Sequence, residues 1–126
     1  MKDLCPCGLG EPYGECCGPL HAGEREAATA EQLMRSRYSA FAVGDAGYLL
    51  RTWHPTTRPE ELDLDPAQRW LRLEILSRTG GGPFETEGTV DFRALYRLDG
   101  ATGSLTEHSR FTRRGKTWLY VDGDHD

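Results

Sequence analysis

All four cysteines of the chain lie within its first seventeen residues, as Cys5-Pro-Cys7, then eight residues, then Cys16-Cys17. Four soft thiolates in so short a stretch can close on one tetrahedral ion. Gly8 and Gly10, between the pairs, permit the backbone angles that a loop wrapped around a metal needs. Disulfides are the competing use. Cys5-x-Cys7 and the adjacent Cys16-Cys17 would make small, strained rings, although a cross-pair such as Cys5 to Cys16 is geometrically open. Disulfides also need an oxidising compartment, and no apolar leader stands before the cysteines. The expectation is therefore a structural zinc knuckle on Cys5, Cys7, Cys16 and Cys17, with His21 read as a neighbour in preference to a substitute ligand. Four protein ligands leave such an ion no open position for catalysis.

A knuckle of this length owns no hydrophobic core, so the metal must supply its folding energy. The organisation expected for the 126 residues is a knuckle over residues 1–22 and one domain over residues 28–124. A net charge of −5 argues against tight non-specific nucleic-acid binding. No stretch is apolar enough for a membrane span, and the expected compartment is the cytoplasm. The end Asp122-Gly-Asp-His-Asp126 reads as a solvated tail.

Beyond the knuckle, Leu33, Met34, Tyr38 and Phe41 recur at helical spacing between Glu31 and Val43. Arg37 falls on the same inward face, while Arg35 and Ser39 fall on the other. Gly44 ends this helix and Asp45 caps a second, which carries Tyr48, Leu49, Thr52 and Trp53 and stops at His54-Pro55. Asp65-Pro66 can start one more helical turn. From Trp70 the period becomes two. Leu71, Leu73 and Ile75 alternate with Arg72 and Glu74, and Val90, Phe92, Ala94, Tyr96 and Leu98 form the next inward set. Strands over Ser104 to Arg113 and Lys116 to Asp122 follow. Helices followed by antiparallel strands predict an α+β fold, one curved sheet wrapped on the N-terminal helices.

The third strand places Glu107 and Ser109 on one face with Leu105 and Phe111. A lone buried carboxylate is costly unless paired or protonated, and Arg37 is the expected partner. The sequence thus predicts a polar interior around Arg37, Glu107 and Ser109, with Tyr38 and His54 nearby. Either it opens as a pocket or it closes as an ion pair.

The run Cys5-Pro-Cys-Gly-Leu-Gly-Glu-Pro-Tyr-Gly-Glu-Cys-Cys17 resembles the SEC-C zinc motif, found also at the C-terminus of the SecA translocation ATPase. Leu33-Met-Arg-Ser-Arg-Tyr-Ser-Ala-Phe41, Thr52-Trp-His-Pro55, Glu107-His-Ser-Arg-Phe111 and Trp118-Leu-Tyr-Val-Asp-Gly123 resemble the uncharacterised YchJ-like family. The resemblance implies a zinc knuckle on an NTF2-like (cystatin-like) domain, a fold that hosts enzymes, binders and scaffolds alike. SEC-C loops usually carry lysines where this one has Glu11, Pro12 and Glu15, so a SecB-like partner does not carry over.

No nucleophile constellation is recognisable, and the leading expectation is a non-enzymatic adaptor whose knuckle meets an unidentified protein partner. The alternative is a ligand-binding or enzymatic pocket, with Glu107 as acid or base, His54 or Tyr38 assisting and Arg37 orienting an anion. Arg72, Arg93, Arg97, Arg110, Arg113, Arg114 and Lys116 gather on or near the sheet, but without interleaved aromatics they read as a solvated face. Trp53, Trp70 and Trp118 are expected to pack. NTF2-like sheets often dimerise, and a homodimer is a further expectation.

Overall fold

The computed structural model describes residues 3–125; Met1 and Lys2 of the expected knuckle and Asp126 of the expected tail lie outside the described residues. A 3-10 turn, Tyr13–Glu15, and the short helix α1, Gly18–His21, belong to the knuckle. Helices α2, Ala30–Val43, and α3, Ala46–Arg51, precede four strands: β1, Arg69–Gly80; β2, Glu87–Leu98; β3, Ala101–Arg114; and β4, Thr117–His125. The strands form one antiparallel sheet in the order β1-β2-β3-β4.

Helix α2 begins where Thr29 Oγ1 accepts from Gln32 N–H at 3.0 Å and ends at Gly44 in the left-handed region (φ 82°). Its front face sets Leu33, Met34 and Tyr38 against Leu73, Val90, Phe92, Ala94, Phe111 and Trp118 of the sheet. Its rear face is also covered. Ser36 and Ser39 are fully buried, because α1 and the knuckle pack on this face. Leu20, Ala40, Tyr48 and Leu49 make a second core there.

Helix α3 is capped by Asp45, whose Oδ1 accepts from Tyr48 N–H at 3.0 Å. It stops at Arg51, three residues short of the expected end. Trp53 leaves the helix to bridge Tyr120 on β4, and His54 N–H donates to Tyr120 O at 2.8 Å. Asp65-Pro66 forms a turn, not a helix.

Two irregularities break the expected alternation in β1, between Trp70 and Arg72 and between Ile75 and Ser77. Each extra residue is squeezed outward, so Leu71 and Leu76 are exposed while Trp70, Leu73 and Ile75 face the core. Three of the basic residues expected on the outer face are matched by acids. Arg72 and Arg93 meet Glu74, and Arg110 meets Asp122 and Asp124. The acidic end is therefore no free tail; through His125 it continues β4. No helix among the described residues is long and apolar enough to cross a membrane.

Candidate functional site

The knuckle loop closes through a bridge between Leu4 and Pro12 and a hydrogen bond from Cys5 N–H to Glu11 O at 2.8 Å. Gly8 and Gly10 adopt φ of 87° and 85°. At Gly18 a Cβ would stand 2.7 Å from Tyr13 O, so only glycine lets α1 start against the 3-10 turn. This geometry brings the sulfur atoms of Cys5, Cys7, Cys16 and Cys17 within 4.8 Å of one another, with Cys7 and Cys16 at 3.6 Å. A tetrahedral ion bound at about 2.3 Å to four sulfurs gives sulfur–sulfur edges of about 3.8 Å. The cluster fits a metal ion.

The thiols' electrostatics agree. A hydrogen bond with Cys17 pulls the Cys7 thiol down to about 5, while burial pushes Cys16 up to about 12. Cys17 is raised, chiefly by its bond to Cys7. The Cys7 thiol is thus favoured as thiolate, and a bound cation would favour releasing the protons of Cys16 and Cys17. Ser39 Oγ donates to Cys17 Sγ and lies beside Cys5 Sγ, each at 3.4 Å, buttressing the cluster from α2.

His21 is not a ligand. Its Nε2–H donates to Ser36 O at 2.8 Å, which leaves Nδ1 to accept from Tyr13 OH at 2.5 Å. Together with Arg35, bonded to Cys7 O at 2.8 Å, and Arg51, bonded to Leu20 O and His21 O at 3.1 and 2.9 Å, it bolts the knuckle to α2 and α3.

Between α2 and the sheet lies a cavity of about 340 Å³ lined by Arg37, Tyr38, Glu107 and Ser109 among others. Tyr38, Phe41, Trp70, Phe92 and Ala94 supply apolar walls, while Trp53, Tyr120 and His125 join the polar end. The expected Arg37–Glu107 pair does not form. Arg37, 4 % exposed, donates both Nη1 hydrogens, to Leu49 O and Thr52 Oγ1 at 2.8 Å. Its guanidinium stands 4.6 Å from the Tyr120 ring centre and 5.1 Å from that of Trp53. Burial lowers the Arg37 pKa to about 10, so it stays charged near neutrality.

Glu107, 8 % exposed, takes different partners. Its Oε2 accepts from Ser109 Oγ and from Tyr120 OH at 3.2 Å, and its Oε1 accepts from His125 Nε2 at 2.9 Å. Burial raises the Tyr120 pKa, as does the Glu107 charge, which keeps the phenol a donor. Tyr38 is pushed up to about 12 by burial. His54 is absent from the lining; its Nδ1 accepts from Thr56 at the surface. The helix end that was to deliver it inward unwinds first.

Gly123, Tyr120 and His125 were not singled out from sequence. The signal is faint because the β3–β4 register slips between Arg110 and Phe111. Tyr120 faces Phe111, where strict alternation from Trp118 puts it, but Gly123 faces Ser109 and His125 faces Glu107, and alternation misses those two. A Cβ on Gly123 would overlap the Glu107 carboxylate, so the glycine makes room for it.

Fold and cysteine cluster together define the class: an NTF2-like α+β domain bearing a SEC-C metal-binding motif. The profile of the YchJ middle NTF2-like domain matches residues 29–123, and the SEC-C motif matches residues 1–19. A UPF0225 protein of Streptomyces coelicolor is 59 % identical over 120 residues, 95 % of this chain and 94 % of that one. Another, of Corynebacterium glutamicum, is 54 % identical over 126 residues and the whole of both chains. The solution structure of a SEC-C motif containing protein from Rhodopseudomonas palustris superposes with a TM-score of 0.82 at 36 % identity, covering 98 % of each chain. A crystal structure of another, from Psychrobacter arcticus, gives 0.75 at 27 % identity, over 94 % of this chain and 80 % of that one. The chain belongs to the YchJ-like, UPF0225 family.

Proposed function

We propose that this protein is a cytoplasmic small-molecule binder whose pocket lies between α2 and the sheet, and whose knuckle carries a structural zinc ion. The observation that carries the reading is the cavity of about 340 Å³ into which Arg37 and Glu107 both face without pairing. That volume is at the lower end of the roughly 300–1,000 Å³ range of small-ligand sites. Binding is favoured over turnover because both Glu107 oxygens already accept from protein donors. Zinc follows from four thiolates in a closed set. The bonds from Arg35, Arg51 and His21 support a staple rather than a detachable arm.

The test is a fragment screen on the zinc-loaded full chain, read by amide shift perturbation, beside Ala94→Leu, which fills the cavity from a wall residue. Ligands that perturb Tyr38, Trp70 and Glu107 and are lost in Ala94→Leu support the pocket. Absence of any pocket ligand refutes it.

A second reading, the adaptor, is favoured by Leu4, Leu9 and Val43, which are 66 %, 53 % and 50 % exposed on and beside the knuckle. Exposed leucines there suit a protein partner. Charge reversal at Glu11 and Glu15 with unchanged partner recovery in a pull-down removes that reading.

A further inference from the structure

We infer that the pocket takes a compact, planar molecule, uncharged overall, whose polar edge carries a hydrogen-bond acceptor beside a donor, as a lactam does. This rests on the pocket reading above and adds its ligand class.

Two donors call for the acceptor. Nη1 of Arg37 is saturated by Leu49 O and Thr52 Oγ1, but Nη2 and Nε have no hydrogen-bond partner among the described residues. Trp53 Nε1–H is buried and equally without a partner. Both residues line the cavity, and the guanidinium lies over the Trp53 ring. Buried polar groups are almost always satisfied, so a buried indole N–H without a protein acceptor, beside a guanidinium that lines the same cavity, favours an oxygen from outside the chain.

Glu107 calls for the donor. Of its three partners, Ser109 and Tyr120 hold Oε2, while Oε1 accepts from His125 alone and keeps a second lone pair for a ligand donor.

Charge and shape narrow the class further. The polar end holds one guanidinium and one carboxylate, which sum to zero. A net anion would face Glu107 and a net cation Arg37, each across a poorly screening interior. A neutral molecule with a strong local dipole meets both. The flat rings of Tyr38, Phe41 and Trp70 favour a planar body.

The experiment uses the zinc-loaded full chain and five probes of matched size. These are 2-quinolinone, its N-methyl derivative with the donor blocked, naphthalene, quinoline-2-carboxylate and 2-naphthylmethylammonium. Binding is followed by NMR, including the indole N–H of Trp53; that of Trp118, bonded to Ala28 O at 3.2 Å, is the internal control. The expected result is that 2-quinolinone binds at least about tenfold more tightly than the other four, the value of one charged hydrogen bond. It should also shift the Trp53 N–H downfield and lose its advantage in Arg37→Met. Should Arg37→Met not fold, Trp53→Phe keeps a ring and removes one donor, and should weaken 2-quinolinone but not naphthalene. Equal binding by naphthalene, or preference for either ion within the pocket, overturns the ligand class and leaves the pocket standing. If no probe perturbs Tyr38, Trp53 or Trp70, both the class and the pocket fall.

Discussion

Gly123→Ala probes the buried carboxylate most directly. Gly123 pairs with Ser109 across β3 and β4, and the new Cβ would occupy the space of the Glu107 carboxylate. Because β4 is held in the sheet, the flexible glutamate is what must move. In moving it leaves Ser109 Oγ and Tyr120 OH. Each hydrogen bond to a charged group contributes about 1.5–3 kcal/mol. Replacing glycine in a strand returns about 0.5–1 kcal/mol, and the displaced carboxylate recovers some hydration. The net cost is about 2–4 kcal/mol, read as a lower urea midpoint at unchanged slope. The decisive comparison is the Glu107→Ala background, where the Cβ meets no carboxylate and Gly123→Ala should cost less than about 0.5 kcal/mol. A coupling of about 2 kcal/mol or more is thus expected. Equal cost in both backgrounds would refute the claim that this glycine exists to accommodate Glu107.

Stripping the metal with a chelator should unfold the knuckle and lower the melting temperature of the whole domain, because the knuckle covers the rear face of α2; elemental analysis should first return one zinc per chain, and an unchanged melting curve would contradict the staple. Ser39→Val removes a hydroxyl 3.4 Å from two ligand sulfurs and should weaken zinc about 10–100-fold in a competition titration without changing stoichiometry. Arg37→Met should change stability by less than about 2 kcal/mol in denaturant, since burial already disfavours the cation, while abolishing lactam selectivity. Asp91, through Ser77 and His108, and Asp124, through Arg110, are held below their ordinary values. A depressed carboxylate stabilises the fold above its unfolded pKa and loses that contribution as pH falls through the folded one. Stability should therefore decline below about pH 4. Asp124 is exposed and Asp91 partly so, so high salt should flatten the decline, and Asp91→Asn should reduce it.

What was legible in the sequence was whatever followed a fixed period. The four cysteines, the front face of α2 and the inward set Val90, Phe92 and Ala94 all sit where spacing places them. What was not legible arose where one element alters another. Bulges in β1 turned Leu71 out, and the slip before β4 turned Gly123 and His125 in. Ser39, placed on the face away from the sheet, is buried because a second layer covers it. Arg37 and Glu107 were each placed inward correctly, yet their pairing could not be read from facing alone. A guanidinium can also be held by backbone carbonyls and rings, and that is what Leu49, Thr52, Trp53 and Tyr120 do.

Cysteine cluster and cavity meet in one helix. Within a single turn and its neighbours, α2 sends Ser36 and Ser39 rearward to the knuckle and Arg37 and Tyr38 forward to the cavity. A rear face held by His21, Arg35 and the thiolates fixes the rotation of α2, and that rotation sets where the Arg37 guanidinium stands. Front-face packing alone is a weak constraint here, since part of that face borders a cavity instead of side chains. A helix that must leave space open on one side needs to be held from the other. On the pocket reading proposed above, the knuckle's bonds to backbone carbonyls and the unfilled interior serve one requirement: keeping a charged group beside an opening that hydrophobic collapse would otherwise close.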